Sequence, residues 1–375
     1  MKKKIVILSA HNILVPRLML ERDTLEKAGY SVEVIYRNRI FWGIKTFLQL
    51  PTYYLTTLNK CYQEDIWGVH LTHISQILLT PFLKLKGKIV VFDAYEPYSV
   101  DISERHFPSI LKRPIRYLIE FFEDLFIKFF VDAVLVVSTP KEYLLERYRK
   151  YCTLTECLYN VPSSTTVFKD DLKAKFREVP FKIAYAGDFS HDKGSSYFIP
   201  LAQLLKKRGL RFEMHLIGPF LRESLQQRLL SEIYKSGISD FVFIHGYMDY
   251  ASMICFLYGC HVGLNIRPKV KRLSHVGIGC ARKNFTYMSS GMVVITLEVG
   301  QMAYVIQNEN CGIGIRNADN LNHVAAIIEN LMEDRSQATS FAQNGIRAIT
   351  NRYNWENESN KLLSVYSEVY RKHHM

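Results

Sequence analysis

A glycine-bracketed turn within residues 182–196 holds the side chains that are best placed to do chemistry. The segment KIAYAGDFSHDKGSS begins with β-forming residues that end at Gly187. A charged turn follows and leads to Lys193 and Gly194. Apolar residues recur at helical spacing beyond Gly194, so a strand, a tight turn and a helix are predicted. A helix N-terminus that follows a glycine turn, with a lysine beside it, is typical of a site for anionic ligands. Asp188 in the same turn would repel an anion unless it is turned away or paired.

The composition of the chain favours an anionic partner. Its 375 residues, of which 48% are hydrophobic, are enough to bury two cores of ordinary size. The formal net charge of +12 favours phosphorylated substrates, an acidic membrane surface or nucleic acid. Nucleic acid is the weakest of these candidates, because the basic residues are spread over both halves of the chain without a recognised nucleic-acid motif. A basic but otherwise ordinary protein is the alternative.

The cysteines and the amino terminus predict a cytoplasmic protein. The seven cysteines include no C-x-x-C pair and lie mostly in apolar segments of the sequence, so buried thiols in a reducing compartment are expected. The start MKKKIVILSAHN has too short an apolar run for a secretory signal. There is no window of apolar residues long enough to predict a transmembrane helix. No cluster of acidic residues, histidines or cysteines suggests a metal site.

The order of elements predicts an α/β fold with two halves. A strand at 4–8, a helix from about Pro16 and a strand at 31–36 form a βαβ unit with a parallel sheet. Further strands are predicted to residue 138, and the pattern restarts after a polar stretch at 160–180. In doubly wound sheets, ligands bind beyond the carboxyl ends of the strands. The predicted domains are 1–165 and 166–352, followed by a helical tail at 353–375.

Several segments, taken in order, resemble the glycosyltransferases of the GT-B fold, most closely the retaining family 4 or group 1 enzymes. The segments in the second half are YAGDFSHDKGSS, FVFIHGYMDYASMICFLYGCHVGLNI and ARKNFTYMSSGMVVIT, and those in the first half are FDAYEP and DAVLVVSTPKEYLLERY. The resemblance covers nearly the whole chain. It implies two Rossmann-like domains that face a cleft, with a nucleotide sugar on the second, an acceptor on the first, and a final helix that packs back toward the first.

The resemblance also implies roles for particular residues. Lys193 would meet the departing diphosphate, and Asp93 and Glu96 of FDAYEP would share the catalytic site. The nucleotide sugar would be a substrate, and neither a metal nor a cofactor is expected. The residues expected to bind the acceptor are His11, Arg17 and Tyr95. The residues expected to bind the donor are Gly187, Asp188, Gly194, Gly246, Arg267, Lys283 and Thr286.

The chain departs from the family pattern at four positions. Asp188 stands where the family has arginine, and Tyr95 stands where a histidine is often found. Ile278 and Thr286 occupy the two positions of a glutamate pair. Thr286 can still hydrogen-bond a ribose hydroxyl, whereas Ile278 cannot do the work of a glutamate.

A segment without acidic residues could compensate for these departures. No aspartate or glutamate lies between Asp249 and Glu298. By the resemblance this segment borders the diphosphate, so we interpret it as an anion site rebuilt from cations. A plain basic surface loop is the alternative. Its six cations near the turn are Arg267, Lys269, Lys271, Arg272, Arg282 and Lys283.

Two basic, aromatic stretches could meet an anionic membrane surface. Residues 36–60 contain no acidic residue between Tyr36 and Lys60, and residues 105–116 are similar in character. Basic amphipathic segments of this kind bind to an anionic leaflet, where lipid-linked acceptors reside. For the helix predicted at 113–130, by contrast, core packing is favoured, because its apolar residues fall on one stripe and Pro114 suits a first turn.

Two functions remain open from the sequence. The leading hypothesis is a glycosyltransferase, cytoplasmic or peripheral at the inner face of the membrane. It would move a sugar from a nucleotide-diphosphate donor to a glycan or lipid-linked acceptor in envelope polysaccharide synthesis. The alternative, favoured by the missing glutamates, is a catalytically silent GT-B subunit that binds a partner transferase or a glycan.

Overall fold

The computed structural model describes residues 3–9, 15–36, 44–137, 143–190, 193–220, 222–268 and 282–374. The chain divides into two compact units. The first unit comprises Met1–Asn160 and Glu356–Met375, and the second comprises Val161–Trp355.

The first unit is built on a parallel six-stranded sheet of order β2-β1-β3-β4-β5-β6. Its central strands are short apolar runs that are buried on both faces, as parallel sheets covered by helices require. The strands are β1 Lys4–Ser9, β2 Ser31–Tyr36, β3 Ile66–Leu71, β4 Ile89–Ala94, β5 Ala133–Val136 and β6 Thr155–Cys157. The helices are α1 Pro16–Lys27, α2 Ile44–Cys61, α3 Thr80–Leu85, α4 Tyr98–His106, α5 Ser109–Phe130 and α6 Tyr143–Arg149, with a 3-10 helix at Ile74–Leu79.

The second unit repeats this plan with a parallel sheet of order β12-β11-β10-β7-β8-β9. Its core is formed by the apolar strands and the inner faces of the helices. The strands are β7 Phe181–Ala186, β8 Phe212–Ile217, β9 Val242–Gly246, β10 Val262–Asn265, β11 Val293–Leu297 and β12 Gly312–Ile315. The helices are α7 Leu172–Arg177, α8 Phe198–Lys207, α9 Glu223–Lys235, α10 Tyr250–Tyr258, α11 Arg282–Ser289, α12 Gly300–Glu309, α13 Leu321–Glu333 and α14 Arg335–Asn351, with a 3-10 helix at Ser164–Thr166.

The last helix, α15 (Trp355–His374), returns to the first unit. The hydroxyl of Tyr366 lies 2.8 Å from Nδ1 of His70 on β3, inside the unit. The amide of Tyr159 donates to the carboxylate of Glu358 at 2.8 Å. These contacts join the tail to the sheet of the first unit.

The predicted fold class is confirmed, and the remaining differences are local. Strands β6 and β12 are absent from the sequence prediction because they are only three and four residues long and carry no continuous apolar run. The predicted helix after Gly194 begins only at Phe198, after further turns. In the predicted membrane stretch 36–60, residues 37–43 lie outside the described part of the chain. None of the described helices is long and apolar enough to cross a bilayer.

The prediction of core packing for the 113–130 helix is wrong. The helix begins at Ser109, so Pro114 lies in its second turn, not its first. Its aromatic stripe faces outward: Phe121 and Phe129 are exposed. The buried side chains of this helix are Glu120, Glu123 and Ile127, because the carboxylates find partners inside the unit.

Candidate anion site in the second unit

The turn after β7 packs closely on neighbouring strand ends, and both of its glycines have positive φ angles. Gly194 has φ +87°, and a Cβ there would lie 2.1 Å from the carbonyl oxygen of Ile266. Gly187 has φ +147°, and its own carbonyl oxygen would lie 2.1 Å from a Cβ at Gly218. Both conformations are rare for residues with side chains. The glycines therefore fix the turn against the ends of β8 and β10, as their place in the motif predicts.

Lys283 reaches this turn from the first turn of α11. A Cβ at Gly187 would lie 2.9 Å from Nζ of Lys283, so the absence of a side chain at Gly187 makes room for the ammonium. The same ammonium lies 3.9 Å from the ring centroid of Tyr185, which gives it a cation–π contact. The lysine thus points back at the carboxyl end of β7.

Tyr287, one helical turn after Lys283, anchors this arrangement. The amide of Ala186 donates to its hydroxyl at 2.8 Å, and the hydroxyl donates to the carbonyl of Leu264 at 3.2 Å. Residues four apart share a helix face, so the bonds of Tyr287 also aim Lys283. This role of Tyr287 is not among the predictions from the sequence, although a tyrosine four residues after a lysine at a helix start is a signal for it.

Arg267 is the second cation of the site, and neutral amides hold it. Its side chain is buried, and Nη2 donates to Oδ1 of Asn265 at 3.0 Å. Asn265 in turn donates to Oδ1 of Asn284 at 2.7 Å, which links the end of β10 to α11. Asn265 is a second residue that is not predicted from the sequence, where its signal is a polar side chain at the end of an apolar strand.

The electrostatics show that three cations share one small region. Burial lowers the pKa of Lys283 well below its ordinary value, and the positive charges of Arg267 and then Lys193 lower it further. The carboxylate of Asp188 acts in the opposite direction. Cations that raise each other's energy in this way are stabilised when an anion binds between them. The arrangement can therefore hold a multiply charged anion such as a diphosphate.

The remaining predicted donor residues lie in different surroundings. Asp188 is exposed, and its backbone carbonyl accepts a hydrogen bond from the Tyr185 hydroxyl at 2.8 Å. Gly246 ends β9 with φ +67°, and its carbonyl accepts from the amide of Gly218 at 2.6 Å. Thr286 is only 3% exposed, so in this conformation its side chain is part of the packed interior. Lys269, Lys271, Arg272 and Ile278 lie outside the described residues.

The candidate residues of the first unit form a buried ion-pair network. Nη2 of Arg17, at the start of α1, donates to both oxygens of Asp93 at 2.9 and 2.7 Å. Nε of Arg17 donates to Glu21 at 2.7 Å, and Nη1 donates to the carbonyl of Leu158 at 2.8 Å. Arg17, Glu21 and Asp93 are each at most 2% exposed. Glu21 is not among the residues predicted from the sequence, because its only signal there is the i, i+4 spacing from Arg17.

Charge balance inside this network is nearly complete. Burial disfavours its charged forms, but Asp93 and Glu21 raise the pKa of Arg17, and Arg17 in return holds the pKa of Asp93 below its usual value. Burial and the charge of Asp93 raise the pKa of Glu21 well above its usual value. Glu21, His70 and Asp93 could each offer one metal-ligand atom within 4.8 Å of one another. Because Arg17 already bonds to both carboxylates, the set fits an internal cation better than a metal ion.

The contacts of this network separate the predicted first-unit residues. Tyr95 stacks on the Arg17 guanidinium at 4.8 Å and donates to Glu21 at 3.0 Å, so it belongs to the network. Glu96, the next residue, is exposed. The structure therefore gives Asp93 and Arg17 internal partners and leaves Glu96 as the carboxylate after β4 that reaches the surface. His11 lies outside the described residues.

Comparison with known proteins agrees with these features. Residues 168–348, just under half of the chain, match the family model described as glycosyl transferases group 1. This segment lies within the second unit and contains the glycine turn and the three cations. No curated protein sequence matched the chain at significant similarity.

Solved structures match over nearly the full length, at low sequence identity. The chain is similar to sucrose-phosphate synthase from Thermosynechococcus elongatus, with a TM-score of 0.77 and 15% identity over 99% of this chain and 100% of that one. It is also similar to HepE from Anabaena, solved with UDP, with a TM-score of 0.70 and 14% identity over 97% and 100% of the chains. A third similar structure is WaaG, a glycosyltransferase involved in lipopolysaccharide biosynthesis, with a TM-score of 0.69 and 11% identity over 95% and 98%.

The resemblance suggested by the sequence motifs is thus confirmed at the level of fold and family pattern. The chain has the GT-B fold, and its second unit carries the sequence pattern of the group 1 glycosyl transferases.

Proposed function

We propose that this protein is a glycosyltransferase that moves a sugar from a nucleotide-diphosphate donor to a glycan or lipid-linked acceptor. The observation that carries the proposal is the group of three cations, Lys193, Arg267 and Lys283, around the turn at Gly187. The similarity of residues 168–348 to group 1 glycosyl transferases supports it. The HepE structures hold UDP and UDP-glucose, which makes UDP-glucose the first donor to test.

The chemistry needs what these cations supply. The bond between the anomeric carbon of the sugar and the diphosphate breaks, and an oxygen of the acceptor forms the new bond to that carbon. Negative charge grows on the departing diphosphate as its bond breaks, and fixed cations in a water-poor site stabilise that charge. Lys193, Arg267 and Lys283 would act there, with the backbone at Gly187 and Gly194 close to the phosphates. We propose a hexose donor, a retaining outcome and neither a metal ion nor a cofactor, all of which follow from the family resemblance.

The first unit would hold the acceptor. Among the described candidates there, Glu96 is the exposed carboxylate and is our choice for contact with the acceptor hydroxyl. Arg17, Asp93 and Tyr95 would act indirectly, by fixing the end of β4 next to Glu96. The envelope polysaccharide context is part of the proposal and is supported by the likeness to WaaG.

The test is transfer with labelled nucleotide sugars and a membrane extract as the source of acceptors. We expect turnover by the native protein and a loss of at least tenfold, or about 1.4 kcal/mol of barrier, in Arg267→Gln/Lys283→Met. Affinity for the intact UDP-sugar should fall by less, because these cations act most on charge that develops in the transition state. Lys207→Met is the matched control, since Lys207 is an exposed lysine of the same unit.

A silent subunit is the second candidate, and the packing of Thr286 favours it. Thr286 stands at a position where the family has glutamate, and only 3% of it is exposed. A silent subunit predicts that the native protein binds UDP-sugars but leaves them intact with every acceptor preparation. A double variant with native turnover would instead show that the cations belong to an ordinary basic surface.

A further inference from the structure

Helix α5 (Ser109–Phe130) in the first unit carries its apolar residues on the outside. Ile110 is 84% exposed, Tyr117 66% and Phe121 60%. The exposed residues recur three or four positions apart, so they form one continuous stripe along the helix. Over Ile110–Phe129 this stripe is about 30 Å long, at 1.5 Å per residue. Its members, hereafter the α5 stripe, are Ile110, Pro114, Tyr117, Leu118, Phe121, Phe122, Leu125 and Phe129.

Buried carboxylates hold the helix in this orientation. Glu120 accepts hydrogen bonds from Ser99 at 3.0 Å and from Arg116 at 2.7 Å. Glu123 accepts from the Tyr148 hydroxyl at 2.8 Å and pairs with Arg147 at 2.9 Å. Rotating the helix to bury its aromatic residues would break these bonds and leave buried charges without partners, which is strongly unfavourable. The outward direction of the α5 stripe is therefore fixed.

The neighbouring elements add to the exposed apolar surface of this region. The 3-10 helix Ile74–Leu79 and helix α3 both contact α5. They expose Leu78, Phe82 and Leu85, the last of these to 82%. Contiguous apolar surface on this scale marks a site of interaction with a protein or a membrane.

The charges around the stripe indicate which partner covers it. Arg113 and Lys128, near opposite ends of α5, are exposed, and so is Lys86, just beyond the end of α3. The exposed residues of α5 include no aspartate or glutamate, since its three acidic residues lie on the inward side. A second copy packed antiparallel on this stripe would bring Arg113 near another Lys128, and like charges would repel. An anionic lipid surface attracts all of these cations at once.

We propose that the α5 stripe is the membrane-docking surface of the protein and that it lies in the plane of an anionic bilayer. Aromatic and leucine side chains would enter the boundary between headgroups and acyl chains, and the cations would contact lipid phosphates. This inference deepens the proposed function, because it rests on the lipid-linked acceptor assumed there. It assigns the contact to α5 and not to the 36–60 segment.

The test is co-sedimentation of the full-length protein with vesicles of phosphatidylcholine alone or mixed with phosphatidylglycerol. In the variant Leu118→Gln/Phe121→Gln/Phe129→Gln, the partition coefficient on mixed vesicles should fall at least tenfold. A tenfold fall corresponds to a loss of about 1.4 kcal/mol of binding free energy. Leu230→Gln/Tyr234→Gln is the matched control, since both residues are exposed apolar side chains of α9, and it should bind as the native protein does. Arg113→Gln/Lys128→Gln should remove most of the preference for mixed over neutral vesicles.

Three further outcomes have defined meanings. Native vesicle binding by the triple variant would overturn the proposal. Native protein that is dimeric in sedimentation velocity and binds no vesicles, with a monomeric triple variant, would overturn it in favour of self-association. UDP binding, measured on the same samples, separates this inference from the proposed function: vesicle binding without UDP binding supports α5 docking and counts against the transferase, and the reverse result does the opposite.

Discussion

Each unit places basic side chains near the carboxyl ends of its parallel strands, and the two units neutralise them differently. In the first unit, Arg17 lies beyond β1 and donates hydrogen bonds to Asp93, Glu21 and the carbonyl of Leu158. In the second unit, Lys283 has the ring of Tyr185 beneath it and two cations near it, with Asp188 as the opposing charge. The first arrangement contains its own counter-charges, whereas the second, in the function that we propose, is stabilised by the diphosphate of a bound nucleotide sugar. The comparison teaches that a basic residue at a strand end indicates a ligand site only when the fold does not supply its counter-charge.

The largest expected effect comes from breaking the self-satisfied network. Arg17→Met leaves Asp93 and Glu21 buried without their cation, so the free energy of unfolding of the first unit should fall by about 3–5 kcal/mol. Urea unfolding followed by circular dichroism, with amide exchange of β1 and β4, measures this loss. Arg22→Met, on the same helix, is the control, because Arg22 and its partner Asp23 are partly exposed and the pair should be worth less than about 1 kcal/mol. A loss below about 1 kcal/mol in Arg17→Met would mean that the network is not a stabilising element.

The second prediction concerns the glycine turn of the second unit, where we propose that the diphosphate binds. Gly194→Ala must accept a positive φ and a contact with the carbonyl of Ile266, so unfolding of the second unit should become about 1–3 kcal/mol easier. UDP affinity should fall as well, because Ile266 directly precedes Arg267. Gly209→Ala is the matched control, since Gly209 also has a positive φ (+72°) but nothing within 4 Å of its Cβ position. Equal losses of UDP affinity in both variants would show that the close approach at Gly194 has no part in the site.

A third prediction uses the shifted pKa of Lys283. Its pKa in the free protein lies well below its ordinary value, so the unfolded chain binds more protons between these two values. The contribution of Lys283 to the free energy of unfolding therefore rises with pH across that window. A bound diphosphate restores the charged form, so UDP binding should take up protons, and its affinity should fall as the pH rises through the window.

Calorimetry in buffers of different ionisation enthalpy measures this uptake above about pH 7, where phosphates are already ionised. Lys283→Met should abolish most of the uptake and weaken UDP binding about tenfold or more, the range for a charge-assisted hydrogen bond. Lys175→Met is the control: burial lowers the pKa of Lys175 to about 7, but its ammonium donates to the carbonyls of Ser290 and Gly291. Uptake that persists in Lys283→Met and disappears in Lys175→Met would reassign the proton.

The sequence predicts the fold well and the site only in part, for physical reasons. Short continuous apolar runs and glycine turns are local signals, so the parallel sheets and the turn at Gly187 could be predicted. Arg17 and Asp93 are 76 positions apart in the sequence. The residues next to Arg17 in the sequence therefore do not indicate that a carboxylate neutralises its charge. The outward direction of the apolar residues of α5 could not be predicted for the same reason. Glu123 faces inward because it bonds to Arg147 and Tyr148, which lie on another helix.

The smallest expected effect concerns Asp188, whose carboxylate opposes the positive charges around Lys283. It is exposed and stands in the turn, so Asp188→Asn removes a charge that opposes an incoming diphosphate without changing the shape of the side chain. UDP affinity should stay equal or rise by up to about fivefold, within the 0.2–1 kcal/mol typical of exposed charges. The gain should shrink as salt is added, because screening acts on exposed groups. Asp188→Arg, which restores the family residue, should gain at least as much. A marked loss of affinity or stability in both variants would mean that Asp188 has a structural partner, and the second unit would then neutralise its own cations in the way that the first unit does.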